Sequence, residues 1–318
     1  ALGVGDFDCD GYADLAIGAP KESLENGVVI LAAGVVHVLL GSGRGLSAEG
    51  DQLWSQDSLG LSQDGSQDGD RFGYALTGGD FNGDGCTDLA VGAPGEAIRG
   101  GDAGAVNVVY SDGSGLAQAS AQFWAQDMLP LSASEPSEGG DQFGYALAAG
   151  DFNADGRTDL AVGVPFEGVG AVEEAGAVNI IYGSSGGLGT AIADHFFSQA
   201  IGQIEGSGEA KDHFGWALAA ADFDANGAAD LAIGVPGEDH DPFPAVDAGV
   251  VHVLYGRPGH RMTPAGSDTW DEANFQTGYP QDGDQFGYAL AASPPPMPEP
   301  PPPGDNKVYV PLVLVHYP

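Results

Sequence analysis

The sequence predicts an all-β chain made of four copies of one four-stranded unit, and three observations carry that prediction. A nine-residue loop rich in Asp recurs with its first position at 6, 80, 151 and 222, so the spacings are 74, 71 and 71 residues. A Phe-Gly pair recurs in step with it, at Phe72, Phe143, Phe214 and Phe286. The 53 glycines and 21 prolines among 318 residues call for many short turns, which suits strands better than helices. A fixed period of about 71 residues marks a repeat architecture in place of the separate domains that length alone would suggest.

Within one unit the elements follow in a set order. The first strand reads Phe143-Gly-Tyr-Ala-Leu-Ala-Ala-Gly and runs into the Asp loop. The second, Asp159-Leu-Ala-Val-Gly-Val, ends at Pro165, which cannot donate to a ladder. The third runs from Gly176 to Gly183 and matches Gly34 to Gly41, Gly104 to Ser111 and Gly249 to Gly256. Gly-Leu turns at Gly45-Leu46, Gly115-Leu116 and Gly187-Leu188 lead to a short aromatic fourth strand around Trp54, Trp124, Phe197 and Trp270. Small residues in strand one and bulkier ones further out suit a sheet that narrows toward an axis. Four-stranded units at a fixed period, tapering in this way, predict the blades of a β-propeller.

The loops carry the chemistry. Each places Asp or Asn at positions 1, 3 and 5, Gly at position 6 and Asp at position 9. Alternate side-chain oxygens of a tight loop can face one centre, the Gly supplies a turn that a Cβ would obstruct, and position 7 can add its carbonyl. One such loop would read as an ordinary Asp-rich turn. Four in fixed context read as sites for a hard, oxygen-preferring cation, calcium before magnesium. They are not EF-hands, because the last carboxylate sits at position 9 instead of 12 and a strand follows instead of a helix.

Charge and composition exclude several classes. Nine basic residues against 46 acidic ones give a formal charge of −37, a poor match for nucleic acid or an anionic membrane. No apolar stretch reaches the roughly 20 residues that cross a bilayer. The chain opens at Ala1 in mid-motif, as expected of a processed or truncated form, and Asp loops suit millimolar calcium outside cells, so a secreted or surface-displayed protein is expected. Cys9 and Cys86 both fall inside loops, either as a disulfide between neighbouring loops or as two thiols.

Phe-Gly-Tyr-Ala-Leu, the Asp-x-Asp-x-Asp-Gly loop, and Gly18-Ala19-Pro20 with its counterparts Gly92-Ala93-Pro94, Gly163-Val164-Pro165 and Gly234-Val235-Pro236 resemble the FG-GAP repeats of integrin α-subunit propellers and their bacterial relatives. The resemblance covers residues 1–292. It implies a propeller with strand one innermost and Ca²⁺, about four ions, in the loops between strands one and two on the lower face. Carried over by position, the ligands are Asp6, Asp8, Asp10, the Tyr12 carbonyl and Asp14; then Asp80, Asn82, Asp84, the Cys86 carbonyl and Asp88. In the last two repeats they are Asp151, Asn153, Asp155, the Arg157 carbonyl and Asp159; then Asp222, Asp224, Asn226, the Ala228 carbonyl and Asp230. The departure is in number, four repeats where integrin α-subunits have seven blades. The orphan Phe286-Gly-Tyr-Ala-Leu290 either fills blade one and closes a four-bladed ring, or the chain is part of a larger propeller.

Beyond residue 292 the composition changes. Residues 293–306 are a proline-rich linker, and residues 307–318 an apolar strand that either packs back on the propeller or adds to another protein or subunit as a tag for self-assembly or anchoring. Glu22, Glu96, Glu167 and Glu238 recur after strand two, either as caps of their own turns or, less in keeping with repetition, as paired catalytic acids. Glu238-Asp239-His240-Asp241 is the one non-repeated cluster, either a second site or a solvated loop. Asp70, Asp141, Asp212 and Asp284 are expected to brace turns, and His37 and His252 to be strand residues. The reading that results is a non-enzymatic, extracellular, calcium-binding propeller that acts as a binding or adhesion module for a protein or glycan on the face opposite the calcium loops. Its alternatives are a carbohydrate-active propeller, lyase or lectin-like, and an architectural subunit assembled through its last strand.

Overall fold

The computed structural model describes residues 1–25, 27–60, 65–129, 137–189, 194–201, 204, 206–239, 245–275, 279–292 and 312–315. Four antiparallel four-stranded sheets follow one another as blades of a β-propeller. Blade one consists of Leu2–Gly5, Asp14–Ala19, Val35–Leu40 and Ser47–Trp54. Blade two consists of Ala75–Gly79, Asp88–Ala93, Ala105–Ser111 and Leu116–Trp124. Blade three consists of Ala146–Gly150, Asp159–Val164, Ala177–Ile181 and His195–Phe197. Blade four consists of Ala217–Ala221, Asp230–Val235, Val250–Leu254 and Asp268–Trp270. The first strand of each blade lies beside the first strand of the next, so these small-residue strands line the axis. Strand two is buried along its whole length in blades two to four: blades two and three have a neighbouring blade on each face, and blade four has blade three on one face and Ala289–Ala292 on the other.

The expected first strand is shortened at its start. It begins at Ala75, Ala146 and Ala217, and the Phe-Gly ahead of it is a turn, not a strand. Arg71, Gln142 and His213, the residues before each Phe, have φ of 58°, 62° and 58°, a left-handed conformation that no ladder accepts. The turn is used as a hook. The Phe72, Phe143 and Phe214 amides donate to the Ala33, Ala103 and Ala175 carbonyls of the preceding blade at 2.9, 2.7 and 3.0 Å. Their rings are fully buried in the seams between blades.

The ring closure proposed for Phe286 to Leu290 is corrected. Leu2–Gly5 itself holds the innermost place of blade one, pairing with Ile17 back to Asp14. Ala289–Ala292 instead lies beside the first strand of blade four and pairs with Leu312–Val315 in a separate two-stranded sheet. Among the described residues, blade one therefore keeps one face uncovered: Leu2 is 65% exposed, where its counterpart Leu76 is 8% exposed. The proline-rich linker falls outside the described residues.

Cys9 and Cys86 form a disulfide, with 5.4 Å between their Cα atoms, that ties the Asp loop of blade one to that of blade two.

Candidate metal centres and binding face

The four Asp loops share one hydrogen-bond pattern. At position 1, Asp6, Asp80, Asp151 and Asp222 each accept with one oxygen from the amide of position 5 and with the other from the amide of position 6, at 2.8 to 3.0 Å. At position 3, Asp8, Asn82, Asn153 and Asp224 also accept from the amide of position 5. At position 5, Asp10, Asp84, Asp155 and Asn226 accept from the amide of position 7. These side chains thus wind the backbone around their own oxygens. Gly11, Gly85, Gly156 and Gly227 have φ between 86° and 94°, which gives the position-6 glycine its reason. Position 4 is left-handed too, at Cys9, Gly83, Ala154 and Ala225, a constraint that the residue types there do not announce.

Position 9 does a second job. Asp14, Asp88, Asp159 and Asp230 each accept from the amide of position 2, and also from the amide of Gly41, Ser111, Gly183 or Gly256 at or just past the end of strand three. One carboxylate therefore fixes the loop to the outer part of its own blade. Burial pushes Asp88 up to about 7, Asp159 to about 8 and Asp230 to about 6, opposed by these amides and reinforced in each case by the charge of the loop's other Asp residues. A buried carboxylate in a cluster of carboxylates is where a divalent cation gains most. In the first and fourth loops, oxygens of Asp6, Asp8 and Asp14, and of Asp222, Asp224 and Asp230, lie within 4.8 Å of one another. The donor set, all oxygen and mostly anionic, fits calcium. Loops two and three have the same winding with an Asn at position 3.

The opposite end of strand one carries a feature that the sequence analysis missed. Tyr74, Tyr145, Trp216 and Tyr288, each following Phe-Gly, pack against one another in succession from blade to blade, with ring centroids 5.0, 5.0 and 5.3 Å apart and ring planes tilted by 45°, 50° and 42°. Phe166 and His213 pack edge-on or tilted against Trp216, at 5.9 and 5.5 Å. The signal was an aromatic at the same place in every repeat.

Three of the recurrent Glu residues reach across to the preceding blade. Gln56 donates to Glu96, Gln126 to Glu167 at 2.7 Å and Gln199 to Glu238 at 2.9 Å, each from the blade before. They are ties between blades, and Glu22 in blade one is exposed. Asp70, Asp212 and Asp284 brace turns, accepting from the amides of Gln67, Glu209 and Gln281 at 2.5, 2.5 and 2.8 Å, and Asp141 accepts from Glu138. His37 and His252 lie in strand three of blades one and four. Of the Glu238 to Asp241 cluster, His240 and Asp241 fall outside the described residues.

Blades closed by Phe-Gly hooks and wound Asp loops define a propeller of the repeated Asp-loop class. The FG-GAP repeat family matches residues 1–39, 72–109, 143–180 and 214–254, and the chain is an FG-GAP repeat protein. It is 35% identical over 221 residues to the phosphatidylinositol-glycan-specific phospholipase D of Rattus norvegicus, covering 69% of this chain and 24% of that protein. To the integrin alpha-PS5 of Drosophila melanogaster it is 38% identical over 179 residues, 55% of this chain and 16% of that one. The chain thus spans about a quarter or less of these relatives. Among solved structures, a rhamnogalacturonan lyase of Bacillus licheniformis aligns with a TM-score of 0.45 at 14% identity, over 92% of this chain and 51% of that one.

The expectation of a non-enzymatic protein is corrected by these relatives, among which are proteins named for phospholipase D activity. The physical reason is one of extent. Repeated structural acids in the propeller speak only for the propeller, and the matched stretch is 24% of the rat enzyme.

Proposed function

We propose that this chain is an extracellular, calcium-stabilised propeller whose upper face binds a protein or glycan ligand, as a binding unit that can serve an enzyme as well as an adhesion protein. The observation that carries this reading is the run of contiguous, tilted aromatic rings from Tyr74 through Tyr145 and Trp216 to Tyr288. Tyr288 is 41% exposed and the other three are half-buried. Rigid aromatic side chains give large contact area at little entropic cost, which is why they anchor interfaces. This row of rings stands at one end of the innermost strands and the acidic loops at the other, so in this reading ligand and calcium occupy opposite faces.

In this reading Ca²⁺ is held by the side chains at positions 1, 3, 5 and 9 and the carbonyl at position 7 of each loop. It supplies positive charge that offsets the clustered carboxylates. The Cys9–Cys86 disulfide supports a secreted or cell-surface setting, since such bonds persist in oxidising compartments. Among the described residues no helix is long and apolar enough to cross a membrane. The test is a binding screen of the calcium-loaded chain against glycan and extracellular-protein arrays, repeated with Trp216→Ala. A ligand lost with that substitution supports the assignment. A ligand bound equally by the variant, or no ligand on either array, overturns it.

A further inference from the structure

Blade four departs from the repeat at one facing pair, and a cavity of about 420 Å³ opens there. Across strands three and four, His37 faces Leu53, Asn107 faces Phe123 and Asn179 faces Phe196, whereas His252 faces Thr269. A threonine thus stands where the other blades carry Leu or Phe, and it lines the cavity together with His252. His252 is 1% exposed, its Nδ1 lies 3.0 Å from Thr269 Oγ1, and among the described residues its Nε2 has no hydrogen-bond partner. Burial pushes this imidazole down to about 4, so it is neutral at physiological pH. An unpartnered nitrogen this deep costs stability unless something satisfies it.

The remaining walls are acidic. Glu209, Glu238, Asp239 and Asp271 all reach the cavity. Glu238 is pushed up to about 8, first by burial and then by the negative charge of Asp212, against the hydrogen bond from Gln199. An anion is repelled by such a lining, and a hydrocarbon finds little apolar wall. A bare metal ion fits poorly: among the described residues, the acidic groups whose oxygens converge are those of the Asp loops, not these. The volume is that of a small-molecule pocket.

We propose that this cavity binds a small organic ammonium ion on a polar frame, up to the size of one amino sugar, that donates N–H to His252 Nε2 and to the surrounding carboxylates. In the tautomer whose Nδ1–H donates to Thr269 Oγ1, Nε2 presents its lone pair to the ligand. The cavity shares no lining residue with the row of aromatic rings, so amine binding and ligand binding on the aromatic face succeed or fail separately.

The experiment is isothermal titration of the full chain, in saturating calcium chloride, with glucosamine, putrescine and the uncharged N-acetylglucosamine. At least one amine binds, one per chain, and N-acetylglucosamine does not. Thr269→Phe installs the residue of blades two and three and weakens amine binding about tenfold or more, a loss of about 1.4 kcal/mol. His252→Asn likewise restores the residue of those blades and weakens binding in the same direction, and Trp216→Ala leaves it unchanged. The idea is overturned if neither amine binds, if the uncharged sugar binds as well as glucosamine, or if the folded His252→Asn or Thr269→Phe variant keeps full affinity.

Discussion

Gly92 of blade two and Gly144 of blade three lie back to back across the seam: a Cβ placed on Gly92 would stand 2.1 Å from the Gly144 carbonyl oxygen. The same approach joins Gly18 to Gly73, Gly163 to Gly215 and Gly234 to Gly287. Two glycines of the repeat, one after Phe and one before Ala-Pro or Val-Pro, are thus halves of a single contact. Gly92 has no left-handed backbone to complicate a substitution, and its obstacle is main chain that cannot turn aside. Gly92→Ala is expected to cost about 3 kcal/mol, at the upper end of overpacking. Gly168→Ala, whose Cβ would meet nothing nearer than 3.8 Å, is expected to change stability by less than about 0.5 kcal/mol. Urea denaturation of both variants decides it, and equal midpoints would refute the contact.

The blade plan was legible in the sequence because each of its constraints is local and repeats. A wound Asp loop needs its oxygens and glycine at fixed positions, and a strand needs a run such as Leu160-Ala-Val-Gly. What escaped lies between blades. Gln126 and Glu167 are 41 residues apart and Tyr145 and Trp216 are 71 apart, so no local pattern pairs them. The cavity beside His252 was hidden for another reason. It arises from a missing side chain at Thr269, and an absence shows only once Phe123 and Phe196 are known to share its register. Ring closure was misjudged because a strand's sequence tells which place in a blade it can take, not which blade.

The Cys9–Cys86 bond closes a span of 77 residues and holds two loops together. Cross-linking a chain over such a span removes conformational freedom from the unfolded state worth about 4 kcal/mol on the chain-entropy account. The Cys9→Ser, Cys86→Ser double variant should unfold at a correspondingly lower denaturant midpoint, and reductant should lower the wild type but not the variant. An unchanged midpoint in the variant would show that the loops are held together without the bond.

Removing calcium should destabilise the chain at its lower face. A cation bound at one hundred times its dissociation constant stabilises by about 2.7 kcal/mol per site, provided the unfolded chain does not bind it. Excess EGTA is therefore expected to lower Tm, with calcium chloride restoring it and magnesium chloride doing so less well. Asp222→Asn removes a carboxylate that meets Asp224 and Asp230 within 4.8 Å, and should reduce bound calcium by one ion per chain in elemental analysis. A Tm indifferent to EGTA would count against calcium in these loops.

Asp141 offers a pH test away from the loops. It is buried, accepts from the Glu138 amide, and is pushed up to about 6 from 3.8, chiefly by burial. A carboxyl that holds its proton more tightly when folded favours the folded state below pH 4, where both states are protonated and no charge is buried. Between pH of about 4 and 6 the unfolded chain loses the proton first, so stability falls as pH rises through this window and then stays level. Asp70 and Asp212, each also pushed up to about 6 by burial, act in the same direction. Asp141→Asn keeps an acceptor for the Glu138 amide and removes the charge. Measured in EGTA, so that calcium binding does not mask the effect, the variant should match the wild type near pH 4 and melt higher above pH 6. A variant that melts lower than the wild type at pH 7.5 would mean that the buried charge is stabilising, and that the Glu138 amide outweighs the loss of water around it.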